Sequence, residues 1–394
     1  MILIIDLPDY ILSTMNRTDG PIRVGVTTKP LDNWKSGSGH HLDELMNRVL
    51  DLNEREFGFE FTFIHYAKSA NPLYGRVNEL IVPRNPLTAG SIVGKRRFDI
   101  VHYTPLSVFA PLFGVKAMKT ATIHGIEERL FPRGYPLYHL LHEWYVQPAL
   151  MRAMDGIATV SETGKNWFIR HYGIDPNRIV VTPNAVSPEY RVLSESESSL
   201  HEIPAINRPF ILHISRYSKR KNPEGVLSGF AKCLEFSGKD LQLVCAGKDW
   251  DSIEAMELAK RYGVADRVVA PGFISTETAV RLYNRAEAFV FPSWAEGFGM
   301  PNLEAMASGC PVVTSGIFAI PEIVGDAATV VERPDDHEGI GKALARLLTD
   351  DGHKKTLVDR GFKRCQAYDW ESSARTLLEF WRRLAAERGL CSGR

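Results

Sequence analysis

Several features that mark particular classes of protein are scarce or missing in this sequence of 394 residues. Its five cysteines are scattered and never show C-x-x-C spacing, so neither a disulfide framework nor a structural zinc site is predicted. No apolar run approaches the roughly 18 residues that a membrane-spanning helix needs. Basic and acidic residues balance at 47 each, so nothing points to nucleic acid as a partner. The cysteine pattern favours a reducing, cytoplasmic location.

A dinucleotide-binding fingerprint is also missing. No predicted strand is followed by G-x-G-x-x-G with an acidic residue about 20 positions later, which makes a nicotinamide-dependent dehydrogenase a poor interpretation. The composition is that of an ordinary globular chain, with 44% hydrophobic and 24% charged residues. Short apolar runs alternate with helix-like segments, so we predict an α/β protein, and the length favours two domains.

The most informative stretch runs from Glu287 to Ser315. Ala288–Pro292 is apolar and predicts a buried strand, and Ser293–Met300 predicts a loop. Pro301–Ser308 predicts a helix, with Gly309 as a left-handed residue after its end. A strand, loop and helix in this order place the loop at the carboxyl edge of a parallel sheet, where open α/β sheets bind ligands.

Two carboxylates lie in this stretch, Glu296 in the loop and Glu304 in the helix, with seven residues between them. Amides of the first helical turn, including that of Leu303, favour an anion such as phosphate. Gly297 and Gly299 let a ligand approach the backbone closely. Because carboxylates accept hydrogen bonds from hydroxyl pairs, the stretch suits a ligand with sugar hydroxyls at both ends and phosphate between them, a nucleotide-sugar.

The stretch E-G-F-G-M-P-N-L-E-A-M-A-S-G-C-P-V-V resembles the E-x7-E signature of retaining glycosyltransferases with the GT-B fold, of the group 1 (GT4-like) type. The resemblance implies two Rossmann-like domains with parallel sheets facing a central cleft. The donor would sit mainly on the second domain and the acceptor on the first. Glu304 would bind ribose hydroxyls, and Glu296 with the amides of Phe298, Gly299 and Met300 would hold the sugar.

A basic segment after the predicted strand Phe210–Ile214 also fits this family. The family pattern is Gly-Arg followed by Lys five positions after the Arg, and Arg216 and Lys221 match it with Ser215 in place of Gly. Two cations at a strand-to-helix loop could stabilise the departing diphosphate. The resemblance therefore implies no cofactor and no metal. The alternative is a solvated basic loop, since Arg220 and its neighbour are also charged.

The resemblance adds a histidine at a strand end, His124, which would approach the donor sugar. The family often has Asp next, whereas this chain has Gly125, so that carboxylate's role is either vacant or passes to Glu127. Gly39, within Lys35–His41, would lie in a glycine-rich loop near the donor phosphate, with a plain βα turn as the alternative.

The predicted nucleotide-base pocket is weakly marked. In the family the turn containing Gly272 and Phe273 passes the base, mostly through its backbone. The sequence leaves the base open between uridine and guanosine.

The domain boundaries follow from composition and from the resemblance. The polar, serine-rich segment Leu193–Asn207 reads as a linker, and Trp370 and Trp381 suit a final helix that docks on the first domain. The predicted parts are an N-terminal acceptor-side domain (1–192, with 1–20 an extension), a linker (193–208), a donor-binding domain (209–368) and a C-terminal helix crossing back (369–394).

The expected reaction is retaining transfer of a hexose from a UDP- or GDP-sugar to a glycan, lipid-linked or small-molecule acceptor, as in polysaccharide biosynthesis. The alternatives are a non-catalytic nucleotide-sugar-binding protein and a sugar-nucleotide epimerase or hydrolase on the same scaffold. Proteins of this kind can dock on membranes through an amphipathic face, so peripheral contact at the inner face of the membrane is also considered.

Overall fold

The computed structural model describes residues 20–33, 37–125, 127–132, 135–203 and 205–390. The predicted N-terminal extension, residues 1–20, lies outside these ranges except for Gly20.

The first half of the chain alternates strands and helices. Short π-helical segments follow two of the helices, at Asn53–Phe57 and His142–Val146. In chain order the elements are β1 (Arg23–Thr27), α1 (Gly37–Leu52), β2 (Glu60–His65), β3 (Asn78–Ile81), α2 (Pro86–Gly94), β4 (Ile100–Tyr103), β5 (Met118–Thr122), α3 (Glu127–Leu130), α4 (Leu137–Leu141), α5 (Gln147–Arg152), β6 (Gly156–Thr159), α6 (Glu162–Tyr172) and β7 (Ile179–Val181).

The second half repeats the alternation and ends in three longer helices. Its elements are β8 (Phe210–Ile214), α7 (Pro223–Ser237), β9 (Gln242–Ala246), α8 (Ile253–Arg261), β10 (Val268–Gly272), α9 (Thr276–Arg285), β11 (Ala288–Phe291), α10 (Met300–Ala307), β12 (Val312–Ser315), α11 (Ile320–Val324), β13 (Thr329–Val331), α12 (His337–Thr349), α13 (Asp351–Cys365) and α14 (Trp370–Glu387).

Two sheets result. The strand orders are β3-β2-β1-β4-β5-β6-β7 and β10-β9-β8-β11-β12-β13. In both sheets the strands pair in parallel, for example β1 with β2 and β4, and β8 with β9 and β11. In each sheet the order reverses beside the first strand, which creates the topological switch point where α/β sheets bind ligands. The predicted α/β, Rossmann-like class is confirmed.

The described residues form two compact units. The first comprises those of Met1–Thr122, Leu150–Ala158 and Ala374–Arg394. Its core includes Trp381 of α14, whose indole Nε1 donates to Thr120 Oγ1 at 3.2 Å and whose ring lies 5.1 Å from that of His102. Both ring nitrogens of His102 are hydrogen-bonded, Nδ1 with Thr120 Oγ1 and Nε2 with Thr122 Oγ1, at 2.9 Å each. Burial lowers the pKa of His102 to about 3, so this histidine is neutral.

The second unit comprises the described residues of Ile123–Ala149 and Thr159–Ser373. Side chains on one face of its sheet pack with α7 and α12, and those on the other face pack with α9, α10 and α11. The four strand residues of β11 are all buried, as their continuous apolar run predicts for a central parallel strand.

These units differ from the predicted domains. Residues 123–149 and 159–192, placed by sequence in the first domain, belong to the second unit. The predicted linker, 193–208, belongs to that unit as well: Leu200, Ile203 and Ile206 pack on its core, and Leu193 N donates to Asn284 Oδ1 at 2.7 Å. From Ala374 onward, α14 belongs to the first unit.

Candidate active site

The loop that carries Glu296 connects β11 to α10. The helix begins at Met300, one residue earlier than predicted, so Pro301 is its second residue. Gly299 precedes it in a left-handed conformation, with φ +89° and ψ +46°, which a residue with a Cβ adopts only under strain. Gly309 has φ +76°, as predicted for the residue that follows the helix. The loop therefore turns sharply into the helix at a position that favours glycine.

The carboxylate of Glu296 is held by two cations. Lys221 Nζ lies 2.6 Å from Glu296 Oε1, and Arg220 Nη1 lies 3.1 Å from the same oxygen. Arg220 Nη1 also donates to the carbonyl of Ala295 at 2.6 Å. The Glu296 side chain is only 9% exposed, so the ion pairs are largely shielded from water. The residues form one buried charge cluster, called here the Glu296 cluster (Arg220, Lys221 and Glu296).

Burial and charge act in opposite directions in this cluster. Burial by itself raises the pKa of Glu296, but the charges of Lys221 and Arg220 outweigh it, so the pKa lies below its usual value. For Lys221, burial wins over the attraction of Glu296 and the pKa is lowered from its usual value. Glu296 is therefore ionised, and its charge is what opposes deprotonation of the buried Lys221.

The turn before α7 presents the two cations. Lys219–Lys221 form a 3-10 turn, and Asn222 follows in a left-handed conformation with φ +57°. Asn222 Oδ1 caps α7 by accepting from Gly225 N at 3.0 Å, and its Nδ2 donates to the carbonyls of Pro292 and Pro334. One buried amide thus ties the cationic turn to the end of β11, where the Glu296 loop begins.

The second signature carboxylate, Glu304, lies one turn into α10. Tyr283 donates its hydroxyl to Glu304 Oε2 at 3.2 Å, and Tyr190 also hydrogen-bonds to this carboxyl group. Burial raises the pKa of Glu304 to about 7, against the opposing hydrogen bond from Tyr283 and the charge of Lys221. The group therefore changes charge close to neutral pH.

His124 follows β5 and meets the Glu296 loop through the backbone. A Cβ at Gly297 would collide with the His124 carbonyl oxygen, so glycine is required for this approach. Ser161, the N-terminal cap of α6, accepts from Gly164 N and donates to the Gly297 carbonyl, both at 3.0 Å. Burial lowers the pKa of His124 to about 4, so its imidazole is neutral at physiological pH.

Arg216 lies outside the Glu296 cluster, and its predicted role at the donor diphosphate stays a prediction. Its side chain is 67% exposed, and its Nε lies 3.3 Å from Asp249 Oδ2. Arg220, which the sequence suggested was part of a solvated run, contacts Glu296 instead. Asp249, Trp250 and Asp251 form a D-x-D triplet. The prediction of a metal-free site was made without considering this triplet.

The remaining predicted site residues are spread over the structure. The side chains of Phe298 and Leu303 are buried in the core, Phe298 edge-on against Tyr368 at 5.4 Å, so neither side chain lines an open pocket. Met300 packs partly against the same core. Gly272 ends β10 with φ +73°, and Phe273 beside it is 73% exposed.

The predicted glycine loop at Gly39 is corrected. Helix α1 begins at Gly37, so Gly39 lies within its first turn and not in a loop. Glycine has a low helix propensity, so the local sequence does not predict that a helix begins here.

The described residues offer neither a metal-binding cluster nor a membrane-spanning helix. No group of three or more His, Cys, Asp or Glu side chains there is arranged to hold a metal ion. No helix in the described ranges combines the length and apolar character needed to cross a membrane.

Residues 197–364 match the family described as Glycosyl transferases group 1, and residues 40–190 match the one described as Glycosyltransferase Family 4. The chain belongs to the group 1 glycosyltransferases. The recognised signature, Glu296 to Glu304, falls inside the first of the two matches.

Relatives of this glycosyltransferase chain include "O-antigen chain mannosyltransferase B" of Escherichia coli, 30% identical over 234 residues. That match spans 58% of this chain and 61% of the relative. A second Escherichia coli relative, "Serotype-specific mannosyltransferase WbdA", is 28% identical over 236 residues and is matched over 29% of its length. The chain thus spans less than two thirds of either relative.

Solved structures share the fold. Sucrose-phosphate synthase from Thermosynechococcus elongatus superposes with a TM-score of 0.74 at 18% identity, over 93% of this chain and 100% of that one. Anabaena HepE, solved in complex with UDP and glucose, gives 0.73 at 17% identity, over 91% and 98%. At these identities the likeness shows the fold alone, and it confirms the predicted GT-B class.

Proposed function

We propose that this protein is a retaining glycosyltransferase that moves a hexose from a nucleoside-diphosphate sugar to a glycan acceptor without a metal ion. The observation that carries the proposal is the Glu296 cluster, two cations and a carboxylate at the carboxyl edge of the second sheet. Charge accumulates on the departing diphosphate as the glycosidic bond breaks, and fixed cations at this edge would stabilise it.

The other signature residue supports the donor assignment. Glu304, close enough to Lys221 for the lysine's charge to lower its pKa, offers carboxylate oxygens to the ribose hydroxyls. In the expected mechanism the acceptor attacks from the face that the leaving group occupies, and the leaving phosphate takes the acceptor's proton. Glu296 then positions the sugar electrostatically and does not act as a nucleophile.

The comparisons support the choice of sugar and acceptor. Two relatives are named mannosyltransferases, one for an O-antigen chain, and a structural neighbour was solved with UDP and glucose. A hexose donor with either uridine or guanosine, and a growing polysaccharide as acceptor, are therefore the substrates to test first. A cytoplasmic location remains a prediction from the cysteine pattern.

Thermal shift measurements with UDP and GDP near 1 mM, with and without EDTA, test the donor site. A nucleotide at about 100 times its dissociation constant stabilises by about 2.7 kcal/mol, which corresponds to roughly 5–10 °C for a unit of this size. We expect one nucleotide to raise the Tm, EDTA to leave the shift unchanged, and the sugar nucleotide to be turned over when a glycan acceptor is added.

Lys221→Met should abolish this shift relative to its own Tm. Lys232→Met is the matched control, because Lys232 forms an exposed pair with Glu235 at 2.7 Å and is 42% exposed. The donor assignment is wrong if neither nucleotide shifts the wild-type Tm, or if the control loses the shift equally. A shift that EDTA removes would contradict the metal-free mechanism.

A further inference from the structure

Glu127 is a carboxylate of the site that the mechanism above leaves unused. It begins α3, three residues after His124. Its Oε1 lies 2.7 Å from the point that a Cβ would occupy at Gly125, and 2.5 Å from the corresponding point at Gly297. The carboxylate therefore fills the space that a side chain at either glycine would need, between the end of β5 and the Glu296 loop.

Glu127 also acts on the two cations of the Glu296 cluster. For Arg220, burial lowers the pKa, but the carboxylates of Glu296 and then Glu127 outweigh it and the net pKa is raised. The charge of Glu127 likewise favours protonated Lys221, against the larger effect of burial on that pKa. Glu127 thus faces the same cations as Glu296, from the side of the loop after His124.

The two carboxylates differ in their partners. Glu296 bonds directly to Lys221. Within the described ranges, the carboxylate of Glu127 has neither a hydrogen bond nor an ion pair. Among the described residues, therefore, the carboxylate supports the fold through no hydrogen bond or ion pair, and its oxygens can accept from a ligand.

A small cavity lies beside both glutamates. Glu127 and Glu296 both line it, together with Gly125, Gly297 and Ser161, and its volume is about 20 Å³. A space of this size holds about one water molecule. The two glutamates therefore border the same small space, which has room for one hydroxyl-sized group.

We propose that Glu127 binds a hydroxyl group of the transferred hexose, opposite Glu296, and so is a catalytic residue of this enzyme. This inference rests on the proposed function. Gly125 has no side chain and so leaves room for the Glu127 carboxylate beside the end of β5.

Moving the carboxylate tests the proposal. Glu127→Ala removes it, and Gly125→Asp alone adds a second side chain to a space already filled, so each should impair the enzyme. In the double variant Glu127→Ala/Gly125→Asp, the new carboxylate projects into the vacated space. Glu338→Gln, a change in an exposed pair with Lys342, is the control.

The assay compares binding of UDP or GDP with binding of the matching sugar nucleotide, and follows release of free nucleotide from the sugar nucleotide. A hydrogen bond to a charged group corresponds to about a ten- to hundred-fold effect. We expect Glu127→Ala to lose that much in turnover, with nucleotide affinity within two-fold of wild type. The double variant should regain at least ten-fold of the loss.

The proposal is overturned if Glu127→Ala keeps wild-type turnover, if it weakens plain nucleotide and sugar nucleotide equally, or if the double variant is no better than Glu127→Ala. Failure of the proposed function looks different: wild type itself would bind neither nucleotide or release none from the sugar nucleotide, and the role of Glu127 would fall with it.

Discussion

Glu322 braces the loop of the active site from behind, and removing it should be costly. Its Oε1 accepts from Glu162 N at 2.8 Å, and its Oε2 accepts from Thr163 N at 2.7 Å and Thr163 Oγ1 at 2.6 Å. Ser161, which immediately precedes Glu162, donates a hydrogen bond to the Gly297 carbonyl. Ala319 N, just before α11, donates to the Glu296 carbonyl at 3.4 Å. Glu322 lies in α11, close to Ala319, and its carboxylate bonds to the start of α6, next to Ser161. It therefore links the two segments that hydrogen-bond to the Glu296 loop.

These contacts set the loss of stability expected for Glu322→Ala. Loss of an N-terminal cap costs about 1 kcal/mol, and each hydrogen bond to a charged group contributes about 1.5–3 kcal/mol when shielded. Glu322 is only partly buried, so the low end of that range applies. The bond from Glu162 N is exposed, and water can replace it, so the two part-buried bonds from Thr163 account for the expected loss. For Glu322→Ala we expect a loss of about 3 kcal/mol, which lowers the Tm by roughly 6–12 °C.

Thermal unfolding of Glu322→Ala, Glu322→Gln and the control Glu338→Ala measures this directly. Glu338 and its partner Lys342 are both 62% exposed, so the control should change stability by no more than about 0.5 kcal/mol. Glu322→Gln keeps the shape of the side chain but turns an NH2 group toward an N–H donor. Its stability should fall between that of Glu322→Ala and that of the control Glu338→Ala.

A double-mutant cycle with Thr163→Val isolates the direct contact. The Thr163 hydroxyl loses its bond to Glu322 in either single variant, so the two effects should be coupled by at least about 0.5 kcal/mol. Equal melting points for Glu322→Ala and Glu338→Ala, or additive effects in the double-mutant cycle, would refute the claim that the hydrogen bonds of Glu322 stabilise this part of the fold.

Two further predictions concern different parts of the molecule. The pKa of Glu304 is about 7. In its proposed role Glu304 binds ribose hydroxyls better when ionised, so nucleotide affinity should fall about ten-fold from pH 8 to pH 6. Calorimetry should show that Glu304→Gln removes this pH dependence, and a wild-type affinity that does not change with pH would contradict the proposed role. In the first unit, Trp381→Ala empties a fully buried site and should cost about 3–5 kcal/mol. Phe236→Ala, at a side chain 45% exposed, should cost far less, and similar melting points for the two would contradict this assignment.

The local parts of the site could be predicted from sequence. The apolar run of β11, the glycine before α10 and Gly309 after it all act over a few residues, and the sequence patterns for them are specific. The cap at Ser161 is equally local, because its hydroxyl accepts from Gly164 N three residues later. Its second bond, to the Gly297 carbonyl, joins positions 136 residues apart and has no local signature.

Arg220 shows why side-chain partners could not be predicted. Arg216, Arg220 and Lys221 all follow β8, and spacing alone cannot say which of them turn toward Glu296. The choice depends on the 3-10 turn Lys219–Lys221 and on the left-handed Asn222, which is fixed by carbonyls at Pro292 and Pro334. Those carbonyls come from elements 70 and 112 residues away, so the orientation is a product of the folded unit.

The coupling inside the Glu296 cluster changes how its carboxylate is understood. Burial lowers the pKa of Lys221, and the negative charge of Glu296 is the largest effect acting against it. In the proposed mechanism, a neutral side chain at position 296 would thus remove the group that orients the sugar and also weaken the positive charge that faces the diphosphate. The charge of Glu127 opposes the same loss, as the last and smallest of the charges acting on Lys221. Under this proposal Glu296 would serve leaving-group stabilisation as well as sugar positioning, because in a buried cluster the cation's charge depends on its carboxylate partner.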